Sequence, residues 1–155
     1  MSLKVIGIDP GINGAIVCLS DDGIIIHRIP IVRDGKNRVF APGLVSRILE
    51  NHAPDLIVLE KVHSMPGQGV SSTFKFGMVY GALLESAAQY NYILVTPQSW
   101  KRQFSLIGQS KDAARLKAIE LFPEMREALK LKKDVDKADA LLLALYGRIN
   151  ESINR

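Results

Sequence analysis

The chain has 155 residues, of which 47% are hydrophobic, 23% charged and 6% aromatic, and its formal net charge is +4. This is the balance of one soluble globular domain, too short for a two-lobed kinase-like or actin-like protein, which needs roughly twice the length. Because the sequence has neither an apolar run of roughly 18 residues nor a signal peptide, we expect a single intracellular domain over residues 1–155 and no membrane association.

Three short antiparallel strands are predicted at the start of the chain. The apolar, β-branched run 3–9 ends at a Pro-Gly turn, and strands at 14–20 and 24–30 follow it, joined by Asp-Asp-Gly. Asp9 therefore stands at the exit of a buried strand. A polar connector is expected over 33–38.

The next two elements are a helix and a fully buried strand. Leu44, Val45, Ile48 and Leu49 recur at helical spacing in a segment that closes near Pro54. The run 56–60 is apolar on both faces, as expected of an inner strand, and it ends in Glu60. Glu60 is thus a second acid at a strand exit.

A flexible loop over 64–69 precedes a long helix, which Ser71 or Ser72 can cap and which extends to about Gln89. Its apolar residues surround the helix axis instead of forming one stripe. The sheet can cover only one face, so we expect a second subunit on another, with Gly77 and Gly81 permitting close approach. This pattern predicts a homodimer.

The remaining elements are one strand and several helices. We expect a strand at 92–96, a short helix at 98–104, a helix at 110–122 capped by Ser110, a basic helix-prone segment at 124–133, and a last helix from about 134 to 149. The order predicts an α/β domain with a mixed five-stranded sheet and helices on both faces. Ribonuclease H-like nucleases have this order.

The positive charge is concentrated in one part of the chain. Residues 97–137 carry ten Lys or Arg against six Asp or Glu, whereas the other 114 residues sum to zero. A basic surface of this kind indicates a polyanion such as nucleic acid, although solvated helix faces explain it equally well. The single cysteine, Cys18, excludes a thiolate metal site and an internal disulfide.

Four acids form the most informative pattern. Asp136 and Asp139 are three residues apart, so they project from one face of the last helix. Placed beside Asp9 and Glu60, they would repel one another unless a cation neutralised them, and oxygen ligands select Mg²⁺ or Mn²⁺. Each acid also has an ordinary structural explanation: a turn for Asp9, a surface ion pair for Glu60, and helix capping for Asp134 or Asp136.

The sequence resembles the RuvC-type Holliday junction resolvases along most of its length. The similar elements are Gly7-Ile8-Asp9-Pro10-Gly11, Leu59-Glu60-Lys61-Val62, Ser71-Ser72-x-x-Lys75-Phe76-Gly77 with Gly81, Thr96-Pro97 before Trp100-Lys101, Gly108-x-x-Lys111, and Asp136-Lys137-Ala138-Asp139-Ala140-Leu141. The resemblance implies a homodimeric endonuclease that resolves four-way DNA junctions by paired, metal-dependent nicks in recombination and repair.

The resemblance also implies roles for individual residues. Asp9, Glu60, Asp136 and Asp139 would hold Mg²⁺, for which Mn²⁺ substitutes, and Lys111 would join them in catalysis. Lys101, Lys111 and Lys75 would contact DNA. His63 stands where the bacterial family usually has an aromatic residue, so it is open whether His63 contacts bases or phosphates, binds metal, or is a solvated loop residue.

Two other functions remain open from the sequence. Another ribonuclease H-like nuclease, acting on RNA–DNA hybrids or flaps, would need the same carboxylates, whereas a non-catalytic junction-binding protein would not need all four. The sequence does not identify a branch-migration motor. A cytoplasmic, nucleoid-associated, phage or viral setting is equally compatible with it.

Overall fold

The computed structural model describes residues 3–153. Its seven strands are β1 (Val5–Asp9), β2 (Ala15–Ser20), β3 (Gly23–Arg28), β4 (Ile31–Asp34), β5 (Asn37–Phe40), β6 (Leu56–Glu60) and β7 (Tyr92–Val95). Its five α-helices are α1 (Pro42–His52), α2 (Val70–Ala87), α3 (Pro97–Gln103), α4 (Ala113–Leu121) and α5 (Val135–Ile153). No helix in this part of the chain is both long enough and apolar enough to cross a membrane.

Five strands form one mixed sheet in the order β3-β2-β1-β6-β7. The first three are antiparallel neighbours, whereas β6 lies parallel to β1 and β7 lies parallel to β6. Ile8 pairs with Leu59, so the next residues, Asp9 and Glu60, leave the sheet at the same edge. The predicted mixed five-stranded sheet is confirmed, and its topology brings two strand-exit acids together.

Helices cover both faces of this sheet because the inner strands are apolar on both sides. Val5 and Val58 belong to a core that α5 and Trp100 complete, whereas Ile6 and Ile57 belong to a second core that α1 and α2 complete. Alternate residues of each strand therefore enter opposite cores. α5 therefore packs on the face of the sheet to which Val5 and Val58 point, and α1 and α2 pack on the opposite face.

Two glycines allow α5 to lie directly on the sheet. A Cβ atom at Gly7 in β1 would come within 2.5 Å of the Ala144 amide nitrogen, and one at Gly147 in α5 would overlap the Val58 side chain. Each contact is closer than any Cβ atom tolerates, so both positions require glycine. The middle of α5 is consequently held at a fixed, short distance from the sheet.

The segment predicted as a polar connector over 33–38 is instead a second sheet. β4 and β5 pair from Ile31 with Phe40 to Asp34 with Asn37, and Gly35 occupies the turn with a φ of +60°. The prediction was wrong because the hairpin carries little apolar signal: Val32 and Val39 are exposed, and the other central residues are polar.

Several helix boundaries also differ from the sequence-based expectations. α2 begins at Val70 after Gly69, so neither Ser71 nor Ser72 caps it. α4 begins at Ala113, and Ser110 lies in the preceding turn rather than at the cap. The basic segment forms only two 3₁₀ turns, Pro123–Met125 and Lys132–Asp134, and α5 extends to Ile153. These differences of one to four residues are typical of helix ends, where caps and turns compete.

Candidate functional site

Asp9 is a buried acid at the edge of the sheet. It is the last residue of β1, only 9% of its surface is exposed, and the turn that follows it closes through a hydrogen bond from the Gly14 amide to the Gly11 carbonyl. A carboxylate with so little water around it needs another source of compensating charge.

Asp136 and Asp139 come to Asp9 from the first turns of α5. One carboxylate oxygen from each of the three residues lies within 4.8 Å of the others. Asp139 also has a buried oxygen, Oδ1, that accepts no hydrogen bond within the described residues. We call these three side chains the acid cluster.

Burial and repulsion between carboxylates raise the pKa values of Asp9 and Asp139. The pKa of Asp9 lies well above its usual value because burial disfavours its charge, and Asp139, Glu60 and Asp136 add repulsion. The pKa of Asp139 is raised to about 7, mainly by burial and then by Glu60, with Lys101 acting against the shift. Neighbouring carboxylates that cannot all ionise without help are typical of a site for a cation.

Glu60 lies beside the acid cluster but is not one of the three residues whose carboxylate oxygens lie within 4.8 Å of one another. Its Oε2 accepts a hydrogen bond of 2.7 Å from the indole Nε1 of the fully buried Trp100. Burial raises the pKa of Glu60, and the hydrogen bond from Trp100 and the charge of Lys101 reduce that rise. Trp100 therefore packs in the core and also orients Glu60, a role that the sequence did not reveal.

Asp134 and Asp136, the two acids near the start of α5, have different roles in the structure. Asp134 is buried, accepts a 2.9 Å hydrogen bond from the Leu131 amide, and pairs with Lys137 at 3.1 Å. Burial alone would raise its pKa, but these partners lower it below the usual value. The structural, capping role belongs to Asp134, which leaves Asp136 to the acid cluster.

Arg28 is a second residue at the site that the sequence does not reveal. Its guanidinium lies 4.0 Å from Asp136 and 3.7 Å from Asp134. Arg28 is at the end of β3, two strands away from β1, so no local pattern connects it with α5. Its charge partly balances the outer side of the acid cluster.

The donor set of the acid cluster fits a hard divalent cation. All of its ligand atoms are carboxylate oxygens, and the unpartnered Oδ1 of Asp139 is the kind of buried acceptor that a metal ion satisfies. Glu60 is near enough to influence the pKa of both Asp9 and Asp139, so it borders the same site.

The predicted DNA-contacting residues surround this site at different distances. Lys101 lies over the Trp100 ring, 5.5 Å from its centroid, and both Lys101 and Lys111 lower the pKa of Asp139. Lys75 lines a cleft together with Asp9, whereas His63 is exposed in the loop after β6. The structure therefore brings the three lysines to the surroundings of the acid cluster and leaves His63 at the surface.

The chain is similar in structure to a bacterial Holliday junction resolvase, RuvC of Thermus thermophilus. It aligns with Thermus thermophilus RuvC in complex with a Holliday junction substrate at 19% identity and a TM-score of 0.64, over 97% of this chain and 96% of that chain. A second structure of Thermus thermophilus RuvC gives 20% identity and a TM-score of 0.60 over the same shares.

A viral protein also has this architecture. The fowlpox virus resolvase, in complex with Holliday junction DNA, aligns at 18% identity and a TM-score of 0.50, over 99% of this chain and 100% of that chain. No protein-family model and no curated protein matches the sequence. The predicted ribonuclease H-like fold is confirmed by these structures.

Proposed function

We propose that this chain is a single nuclease domain that resolves four-way DNA junctions by paired, metal-dependent nicks during recombination and repair. The observation that carries the proposal is the acid cluster at the carboxyl end of β1, on a fold shared with two resolvases whose structures contain junction DNA. Three carboxylates crowded at a buried edge serve phosphodiester hydrolysis when divalent ions neutralise them.

Asp9, Asp136 and Asp139 would hold Mg²⁺, with Mn²⁺ as a substitute, and Glu60 would complete the site. When bound, the metal supplies an activated water and stabilises the leaving oxygen of the phosphodiester. The chain's own contribution is rigidity: β1 and α5 fix the carboxylates, and Trp100 holds Glu60 through its indole N–H.

Positively charged side chains would place the DNA against this site. Lys101 and Lys111 are near enough to Asp139 to lower its pKa, so their ammonium groups suit the phosphate that is cut and its neighbours. Lys75 would bind the strand in the cleft that it shares with Asp9. His63, exposed beyond Glu60, would face the junction.

We infer a homodimer formed through α2. Val70, Phe74 and Met78 are 88%, 68% and 61% exposed, an unusual row of apolar side chains for one helix. A Cβ atom at Gly77 or Gly81 would meet no atom within 4 Å, so a partner helix has room to approach there. Twofold symmetry would set two acid clusters at the fixed separation that a four-way junction requires. Such an enzyme would act inside the cell, wherever recombining DNA is found.

The test compares three DNA substrates with one protein. Wild-type protein and Mg²⁺ are incubated with a synthetic four-way junction, an RNA–DNA hybrid and a linear duplex, and nicked strands are resolved on a denaturing gel. We expect paired, symmetrical nicks in the junction and little cleavage of the others. Preferred cleavage of the hybrid would instead support a hybrid-directed nuclease, the main alternative, because its carboxylate chemistry is the same.

Asp9→Asn is the matched variant for catalysis. The amide keeps the shape of the side chain but removes a charge needed to hold cations, so nicking should fall by at least about 10²-fold while junction binding persists. Binding by wild-type protein without any metal-dependent cleavage would point to a non-catalytic junction-binding protein. Cleavage by Asp9→Asn near the wild-type rate would contradict the proposed site.

A further inference from the structure

A positively charged cleft of about 830 Å³ opens beside the acid cluster, between the β4–β5 hairpin and the start of α5. Five cationic side chains line it: Arg28, Arg38, Lys111, Lys132 and Lys133. Of its two acids, Asp112 is neutralised by Arg115, with Nε and Oδ1 2.7 Å apart, and Asp136 belongs to the acid cluster. Arg28 is itself paired with Asp134 and Asp136, at 3.7 and 4.0 Å, so the other four cationic side chains give the cleft its surplus of positive charge.

The two arginines of the cleft are held in place by one residue. Asn13 accepts a 3.0 Å hydrogen bond from Arg28 at its backbone carbonyl and a 2.8 Å bond from Arg38 at its side-chain oxygen. Arg28 also donates to the Lys133 carbonyl at 3.3 Å. Arginines fixed in this way lose less side-chain entropy when they bind an anion, and their planar donors suit phosphate oxygens.

A second cleft, of about 410 Å³, lies on the other side of the turn after β1. Asp9 and Lys75 line it, and it shares Ile12, Asn13 and Asp136 with the first cleft. The two clefts thus meet at the acid cluster. Together they form one path across the site, with five cationic side chains in the first cleft and Lys75 in the second.

We propose that the cleft beside the hairpin binds the phosphate backbone of the DNA strand on one side of the bond that is cut, with Arg38 and Arg28 as its phosphate contacts. This inference rests on the proposed nuclease function and assigns a role to the β4–β5 hairpin. An extended polyanion fits better than a small anion because the charges lie on separate elements along a path that continues through the acid cluster.

Arg38→Ala tests the contact directly, since Arg38 is exposed and its side chain bonds only the Asn13 side chain among the hydrogen bonds described. Arg47→Ala is the matched control, because Arg47 is an exposed arginine of α1 outside both clefts. Binding to a labelled four-way junction is measured by fluorescence anisotropy in EDTA, between about 50 and 200 mM salt.

We expect Arg38→Ala to weaken binding about tenfold and to lower the slope of log K against log salt by about 0.9, the value for one lost phosphate contact. Arg47→Ala should match the wild type in both. Thermal melting of each variant checks that it is folded. An affinity and slope for Arg38→Ala equal to those of Arg47→Ala would overturn this inference while leaving the nuclease proposal intact.

Neutral phosphates locate the contact on the DNA. A set of junctions, each with one methylphosphonate near the cleavage position, should bind wild-type protein more weakly at phosphates on one side of the cut. Arg38→Ala should be insensitive to at least one of those substitutions. Equal sensitivity of both proteins at every position would contradict the assignment, and a wild-type protein that bound no junction would refute the proposed function as well.

Discussion

Asp139 has a carboxylate oxygen that is buried and without a hydrogen-bond partner in the part of the chain that the structure describes. Burial and the charge of Glu60 raise its pKa from 3.8 to about 7. Between these values the folded protein holds a proton that the unfolded chain has lost, so in the absence of metal its free energy of unfolding falls as the pH rises.

Asp139→Asn should therefore be more stable than the metal-free wild type at pH 8, with a difference that shrinks as the pH falls toward 5. The slope of this difference should reach up to about 1.4 kcal/mol per pH unit. Urea unfolding of both proteins in EDTA measures it. Asp134→Asn is a control with the opposite expected result. The lowered pKa of Asp134 means that its charge stabilises the fold, so this variant should be less stable than the wild type at pH 8. An unchanged pH dependence in Asp139→Asn would contradict the environment assigned to Asp139.

Trp100 influences the charge state of Glu60, because its Nε1–H donates a hydrogen bond to the Glu60 carboxylate. Trp100→Phe keeps an aromatic ring in the core but removes the donor. The hydrogen bond lowers the pKa of Glu60, so its loss should raise that pKa and move the acidic limb of the cleavage rate to higher pH. Initial rates on the four-way junction from pH 5 to 9 provide the measurement. A lower rate with an unmoved limb would mean that Trp100 serves packing alone.

Gly7 and Gly147 determine how closely α5 lies on the sheet. A Cβ atom at Gly7 would overlap backbone atoms of Ala140 and Ala144, which cannot move without displacing the whole helix. Gly7→Ala should reduce the free energy of unfolding by about 3 kcal/mol, the upper end of overpacking costs. Gly43→Ala in α1 is the control, since an added Cβ meets nothing there. Chemical denaturation compares the two, and equal stability would contradict the close approach of α5.

The sequence predicts the main elements well where their apolar pattern is strong. The strand-exit positions of Asp9 and Glu60 followed from two buried runs bounded by turn residues, and the structure has both strands ending there. The β4–β5 hairpin was missed because its strands lie at the surface and bury little, so no periodicity marks them. Its cleft could not have been anticipated either, because Arg28 and Lys133 meet only through the tertiary fold.

The same limit applies within the candidate site. The spacing of Asp136 and Asp139 indicates a shared helix face. It does not show whether Asp134 or Asp136 forms the local hydrogen bonds and ion pairs at the start of the helix. Asp134 accepts the Leu131 amide and pairs with Lys137, which only the coordinates of the turn before α5 reveal. The bond from Trp100 to Glu60 likewise joins residues 40 positions apart, beyond any local sequence signal.

At the scale of the whole molecule, the exposed apolar row on α2 predicts the oligomeric state. Replacing Phe74 and Met78 together by glutamate should leave the domain folded, because both side chains point to solvent, but should prevent association. Sedimentation velocity should show a dimer for wild type and a monomer for the double variant, with loss of paired nicking. Leu116→Glu, at an exposed leucine of α4, is the control. A wild-type monomer would refute the proposed dimer.

The acid cluster is divided between the first strand and the last helix of the fold, and this division has a consequence for synthesis. A chain made from its N-terminus has all seven strands before it has α5, yet two of the three clustered carboxylates belong to that helix. Before α5 is made, the polypeptide therefore has Asp9 and Glu60 but lacks Asp136 and Asp139, so its ion-binding centre is incomplete. The proposed nuclease activity would therefore require α5 to dock on the sheet, and a chain released before α5 is made should not cut DNA.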